Sequence, residues 1–157
     1  MPTPELLHPA RIACQQESSS KKRSLEILSG LLASAVPDYT EAEIFDSLVA
    51  RERLGSTGLG NGVALPHGRL RSLKRPIAAL LTLKQGIDFD AIDRQPVDLL
   101  YALLVPEESD EEHLKILAHL ASMFSTPDFC SRLRNCSDSN QCLELINNQS
   151  NDQQLTA

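Results

Sequence analysis

Apolar positions along the chain follow two periods. From Ser20 onward, Leu25, Leu28, Leu32 and Ala35 fall at i, i+3, i+7 and i+10, one face of an amphipathic helix that Pro37 ends. A second helix opens at Thr40, where Thr40-Glu41-Ala42-Glu43 has the form of a capping box. Ile44 and Leu48 form its apolar face. Arg51 lies i+7 from Ile44 on that face and Arg53 on the opposite side, so Arg51 should lean toward the protein body and Arg53 toward water. Residues 77–83 (IAALLTL) and 99–105 (LLYALLV) are apolar almost throughout over strand length, the pattern of buried strands. A turn-rich segment, 86–96, separates them. Ser109-Asp110-Glu111-Glu112 reads as another capping box, opening a helix with Leu117, Leu120, Ala121 and Phe124 on one face. One or two shorter helices follow, near 128–135 and 139–147. Together these elements predict an α/β fold with helices covering a sheet.

The 157 residues suit one domain, assigned to 1–150 with 151–157 a disordered tail, and the polar run for which disorder is expected begins at Asn148. With 41% hydrophobic residues and no Trp, the core must be mainly aliphatic. A formal charge of −6 argues against a broad nucleic-acid surface, which needs clustered Lys and Arg. Residues 1–10 show no apolar signal-peptide core, and residues 99–105 are too short to span a bilayer, so a cytoplasmic chain without membrane insertion is expected. Cys14, Cys130, Cys136 and Cys142 form no C-x-x-C pair and no zinc spacing, which reads as free thiols and no metal. Lys21, Lys22 and Arg23 crowd a helix start, where cations are unfavourable; this reads as a solvated cluster or a partner contact.

Chemistry concentrates in Gly55-Ser56-Thr57-Gly58-Leu59-Gly60-Asn61-Gly62, which leads through Val63-Ala64-Leu65-Pro66 to His67-Gly68. Four glycines in eight residues let backbone N–H groups approach a bound group, and Ser56, Thr57 and Asn61 add side-chain donors. The loop lacks the third glycine of a dinucleotide fingerprint and the Gly-Lys-Ser/Thr of a P-loop. His67 follows a proline that restricts the backbone and precedes a glycine that leaves room for a partner. Its neutral imidazole is a competent nucleophile, though a structural histidine at a strand end fits the same residues. His113 shares the inward face of Leu117 and Leu120, near the positive end of its helix, where a neutral ring is favoured; it is either a site residue or a packing residue. Arg51 either holds phosphoryl oxygens or serves its own helix end, as a salt bridge or a C-terminal cap. His119 projects with Glu112 and Lys115 and should be solvated. His8 receives no role.

Arg51-Glu52-Arg53-Leu54 followed by GSTGLGNGVALPHG closely resembles the active-site signature of the mannitol/fructose-class enzyme IIA domains of the bacterial sugar phosphotransferase system. Residues 89–106 (FDAIDRQPVDLLYALLVP), 111–121 (EEHLKILAHLA) and 20–28 (SKKRSLEIL) resemble the nitrogen-regulatory branch, IIA-Ntr. The resemblance spans the chain except its ends. It implies a sandwich of a mixed sheet flanked by helices, a phosphorylated histidine at His67, a second active-site histidine at His113 and an active-site arginine at Arg51. It also implies a donor of the HPr type, charged from phosphoenolpyruvate through an enzyme I, with no cofactor, and regulatory target proteins in nitrogen and potassium control. Two other roles remain open on this sequence: a transport enzyme passing phosphate to a sugar-specific IIB, and a binding module with a structural His67. A hydrolase is the weakest reading, since no triad acid or activated Ser is evident.

Overall fold

A computed structural model describes residues 6–108 and 110–156. After a short 3₁₀ turn, Pro9–Arg11, the elements run β1 (Ile12–Gln16), α1 (Lys21–Ala33), α2 (Glu41–Glu52), β2 (Gly58–Gly60), β3 (Val63–Ala64), β4 (His67–Leu70), β5 (Ile77–Ile87), β6 (Val97–Pro106), α3 (Asp110–Phe124), α4 (Pro127–Arg134) and α5 (Ser139–Thr156). The sheet is mixed, in the order β1-β5-β6-β3-β2, with β4 also on β6. β1 runs parallel to β5, β5 antiparallel to β6, and β3 and β4 parallel to β6. This is the expected α/β sandwich, a mixed sheet flanked by helices.

Side-chain alternation along the two long strands builds both layers. Ala78 and Leu80 with Leu99, Tyr101, Leu103 and Val105 face α3, α4 and α5. Ala79, Leu81 and Leu83 with Leu100, Ala102 and Leu104 face α1 and α2 through Leu28, Leu32, Ile44 and Leu48. Burial on both faces is why these strands read as unbroken apolar runs. Both helix starts on the second layer are as expected: the Ser20 hydroxyl accepts from the Arg23 N–H, and Thr40 and Glu43 cap each other reciprocally. The third expected cap, at Ser109, lies outside the described residues.

Three differences from the sequence reading matter. Residues 12–16 (β1) and 67–70 (β4) carry no strand pattern in the sequence; both lie on the sheet as short segments completed by pairing. β3 and β4 occupy one edge of β6 in a single register, Val63↔Leu99 through Leu70↔Pro106, interrupted at Leu65 and Pro66. Pro66 has no N–H to offer, but its carbonyl accepts from Leu103 N at 2.9 Å and keeps the register across the break. Third, the polar run expected to be disordered from Asn148 on continues α5 as far as Thr156. Its start is docked: Ser150 is buried, its hydroxyl 2.8 Å from His119 Nε2, and Gln149 Nε2 donates to Thr126 Oγ1. His119 is therefore half-buried against α5 and not solvated, and burial pushes its pKa below the ordinary histidine value. No helix among the described residues is long and apolar enough to cross a membrane.

Candidate active site

The edge formed by β3 and β4 meets the C-terminal end of α2. Register places His67 opposite Leu103 and Arg69 opposite Val105, so both side chains fall on the α3 side of the sheet, while Gly68 faces α2. A Cβ at Gly68 would stand 2.3 Å from Ser47 Oγ and 3.2 Å from the Ser47 carbonyl carbon. The glycine thus serves the packing of α2 on β4, and not the approach of a partner as its place beside His67 suggested. That close packing carries Arg51, one turn beyond Ser47, up to the histidine.

Arg51 Nε donates to His67 Nε2 at 3.2 Å, and its Nη1 donates to the Gly55 carbonyl at 2.7 Å. One geometry lets this arginine tie the chain just past its own helix and reach the histidine. Arg53 is exposed, as the helix face predicted. His67 Nδ1 lies 2.9 Å from the Leu65 carbonyl, an acceptor only, so Nδ1 carries the proton and donates. The lone pair then belongs to Nε2, the nitrogen that accepts from Arg51. The ring is a neutral nucleophile in a fixed tautomer.

Burial lowers the His67 pKa, and the charges of Arg51 and Arg69 add to this; the hydrogen bond to Leu65 and the charge of Glu52 oppose them. The ring therefore stays neutral below the pH at which a free histidine protonates. We expect its NMR titration midpoint below about 6.5, with Arg51→Gln moving it up. The unfolded chain takes the proton first, so His67 makes the fold lose stability as pH falls from about 6.5 through the lowered value.

His113 is buried, with its ring centroid 5.4 Å from that of His67 in an edge-to-face arrangement. Arg69 Nη2 lies 3.4 Å from His113 Nδ1 and can only donate, which makes Nδ1 the acceptor and puts the ring proton on Nε2. The sequence reading missed Arg69. Its signal was period-two alternation with His67, visible only once residues 67–70 are known to form a strand.

The glycine-rich loop is a hairpin of β2 and β3, turning through Gly60, Asn61 and Gly62, all at positive φ. Glycine meets that requirement without steric cost, and Asn tolerates it. The Asn61 N–H donates to Asp93 Oδ2 at 2.9 Å and its carbonyl accepts from Arg134 Nη2 at 2.8 Å; Arg134 Nε in turn holds Asp98. The Ser56 hydroxyl donates to the Phe89 carbonyl at 2.8 Å. The Thr57 N–H and hydroxyl both donate to the buried Glu52 carboxylate. In this state the donors singled out at Ser56 and Thr57 hold the loop in shape.

Glu52 was also missed. It receives Lys21 Nζ at 2.9 Å, and that ammonium lies 4.5 Å from the centroid of the Phe89 ring. Lys21 is thus not a freely solvated cation: it joins the start of α1 to the end of α2. Glu52→Gln keeps the shape but sets amide hydrogens against the Thr57 donors or Lys21. We expect a loss of about 1–3 kcal/mol, measured by urea denaturation, with the loss shrinking in a Lys21→Met background.

An α/β sandwich that presents a neutral edge-strand histidine to an arginine, beside a second histidine and a glycine hairpin, has the organisation of an enzyme IIA domain. The chain belongs to the family described as phosphoenolpyruvate-dependent sugar phosphotransferase system, EIIA 2, which it matches over residues 5–149. It is 44% identical over 142 residues to the nitrogen regulatory protein of Pseudomonas aeruginosa, covering 90% of this chain and 92% of that one. It is 41% identical over 138 residues to the nitrogen regulatory protein of Escherichia coli, covering 87% and 82%. Among solved structures it resembles the nitrogen regulatory protein IIA-Ntr of Neisseria meningitidis, with a TM-score of 0.85 and 38% identity over 90% of this chain and 97% of that one. It also shares the fold of the mannitol IIA of Escherichia coli, with a TM-score of 0.75 and 20% identity over 89% and 98%. The chain is thus a phosphotransferase-system protein of the enzyme IIA class, of the nitrogen-regulatory kind.

Proposed function

We propose that this protein is a phosphohistidine carrier that accepts a phosphoryl group on His67 Nε2 from an HPr-like phosphocarrier, and that its phosphorylation state regulates target proteins of nitrogen and potassium metabolism. The observation that carries this reading is the single tautomer of His67: Nδ1–H is held by Leu65 O and the Nε2 lone pair faces Arg51. In the transfer, Nε2 attacks phosphorus in line, the N–P bond to the donor histidine breaks, and the donor ring keeps the electron pair. The Arg51 Nε–H that rests on Nε2 turns to a phosphoryl oxygen as the new bond forms. His113, its proton on Nε2, supports the group from the side, and Arg69 holds that tautomer. Ser56, Thr57 and Asn61 shape the loop beside the group. Exchange between two histidines is nearly isoenergetic, so the chemistry asks for electrostatic stabilisation and no cofactor or metal.

Exposed apolar side chains flank the site residues. Leu54 follows the Arg51 turn, Leu59 lies on β2, and Leu114 stands beside His113. Such exposure beside a polar centre suits docking by another protein. The added phosphoryl charge among these residues then makes or breaks a contact, which is how a carrier signals. We place this work in the cytoplasm, within a single domain.

The test is incubation with phosphoenolpyruvate, enzyme I and an HPr-like carrier, followed by intact-mass and NMR measurement. One acid-labile phosphoryl group on Nε2 is the expected result; no adduct with any cognate carrier overturns it. A IIB protein that drains the phosphoryl group would instead mark a transport enzyme; a complex of mannitol IIA with phosphorylated IIB shares this fold at 19% identity.

A further inference from the structure

Away from His67 the fold gathers three thiols that the sequence scatters. Cys14 stands on β1 and Cys142 on α5, 128 positions apart, and their sulfurs lie 3.0 Å from each other. Cys136, just past α4, also borders Cys142. Cys130 is apart from them, its thiol donating to the Phe124 carbonyl at 3.2 Å. All four are free thiols. Their access to solvent differs: Cys142 is fully buried, Cys136 nearly so, and Cys14 is half-buried.

We propose that Cys14 and Cys142 are an oxidation site, in which a hydroperoxide attacks at Cys14 and Cys142 closes an intramolecular disulfide between β1 and α5. The Cys14 sulfur takes the distal oxygen of hydrogen peroxide, the O–O bond breaks, and one water leaves; Cys14 becomes a sulfenic acid, oxidised by two electrons. The Cys142 sulfur then attacks the Cys14 sulfur. An S–S bond forms, the S–O bond breaks, and the departing hydroxide leaves as a second water with the Cys142 thiol proton. Two thiols and one hydrogen peroxide thus give one disulfide and two waters.

Access and proximity set the order of the steps. Cys14 is the half-buried member of the pair and Cys142 the fully buried one, so a small oxidant reaches Cys14 first, and the resolving thiol is already in contact with it. Burial raises the Cys142 pKa, with the neighbouring thiols of Cys14 and Cys136 adding to this, so Cys142 waits as a protonated thiol until a leaving group removes its proton. Helix α5 also holds α3, the helix of His113, through the contact of Ser150 with His119. The bridge therefore staples the edge strand to the helical layer that backs the site.

The experiment treats the full chain with hydrogen peroxide, alkylates the remaining thiols, and maps the peptides with fragmentation that separates Cys136 from Cys142. The expected result is a Cys14–Cys142 link, reversed by dithiothreitol. It should run as a faster monomer band on a non-reducing gel and raise the unfolding midpoint by roughly 5–15 °C. Cys14→Ser should abolish the fast band while Cys136→Ser keeps it. A Cys136–Cys142 link, purely intermolecular dimers, or four alkylated thiols after peroxide would each overturn the proposal. The wild-type map decides even if a variant fails to fold.

Discussion

Replacing His67 by alanine should abolish phosphoryl acceptance completely, leaving the intact mass unchanged after incubation with phosphoenolpyruvate, enzyme I and an HPr-like carrier. The expectation is total loss because the other imidazole of the site is not equivalent. His113 is buried, and its Nδ1 is occupied by the donor Arg69 Nη2. It offers no accessible lone pair to an incoming phosphorus. His67 is half-buried at the sheet edge, where its removal deletes a ring and leaves the register of β4 on β6 in place. The variant should therefore fold, and circular dichroism and the urea midpoint should lie near wild type. A His67→Ala protein that still gains an acid-labile phosphoryl group would refute the assignment of the acceptor. His113→Ala should behave differently, accepting the group more slowly.

Arg51→Ala should slow the transfer by about 10²–10³-fold, the usual cost of removing one donor aimed at developing charge. Quench-flow measurement of single-turnover uptake reads this directly. Two changes act together. The Nε–H that stands 3.2 Å from His67 Nε2 is lost, and with it the charge available to a phosphoryl oxygen. The tie from Nη1 to the Gly55 carbonyl also goes, which loosens the chain between α2 and the hairpin. Arg51→Lys should restore little, because one ammonium cannot serve both the Gly55 carbonyl and the histidine with the arginine's fork geometry. Recovery of wild-type rate by lysine would show that charge alone suffices.

Much of the fold was legible where the signal is local. The Thr40 capping box sets the phase of α2, and the phase alone separates inward Arg51 from exposed Arg53. Strands β5 and β6 announce themselves because both faces are buried. β1 and β4 gave no such signal. Ile12–Gln16 and His67–Leu70 are short, mixed in polarity and only partly buried, and they are strands because β5 and β6 supply their hydrogen bonds. Arg69 was illegible for the same reason, since its alignment with His67 follows from a strand that only pairing creates. Glu52 hid at a helix end, where an acid ordinarily opposes the dipole; its reason for being there is Lys21, far away in the chain.

By itself the sequence determined whatever depends on neighbours within a few positions: the caps, the helix faces, the glycine turn and the motif that carries His67. Tertiary structure alone decided the distances that make a site, because they join segments remote in the chain. Gly68 must admit α2 before Arg51 can meet His67, and β4 must pair with β6 before Arg69 can meet His113. Likewise Cys14 and Cys142 touch only because β1 and α5 close on one core. Such contacts depend on how whole layers pack, and no local periodicity along the chain reports them.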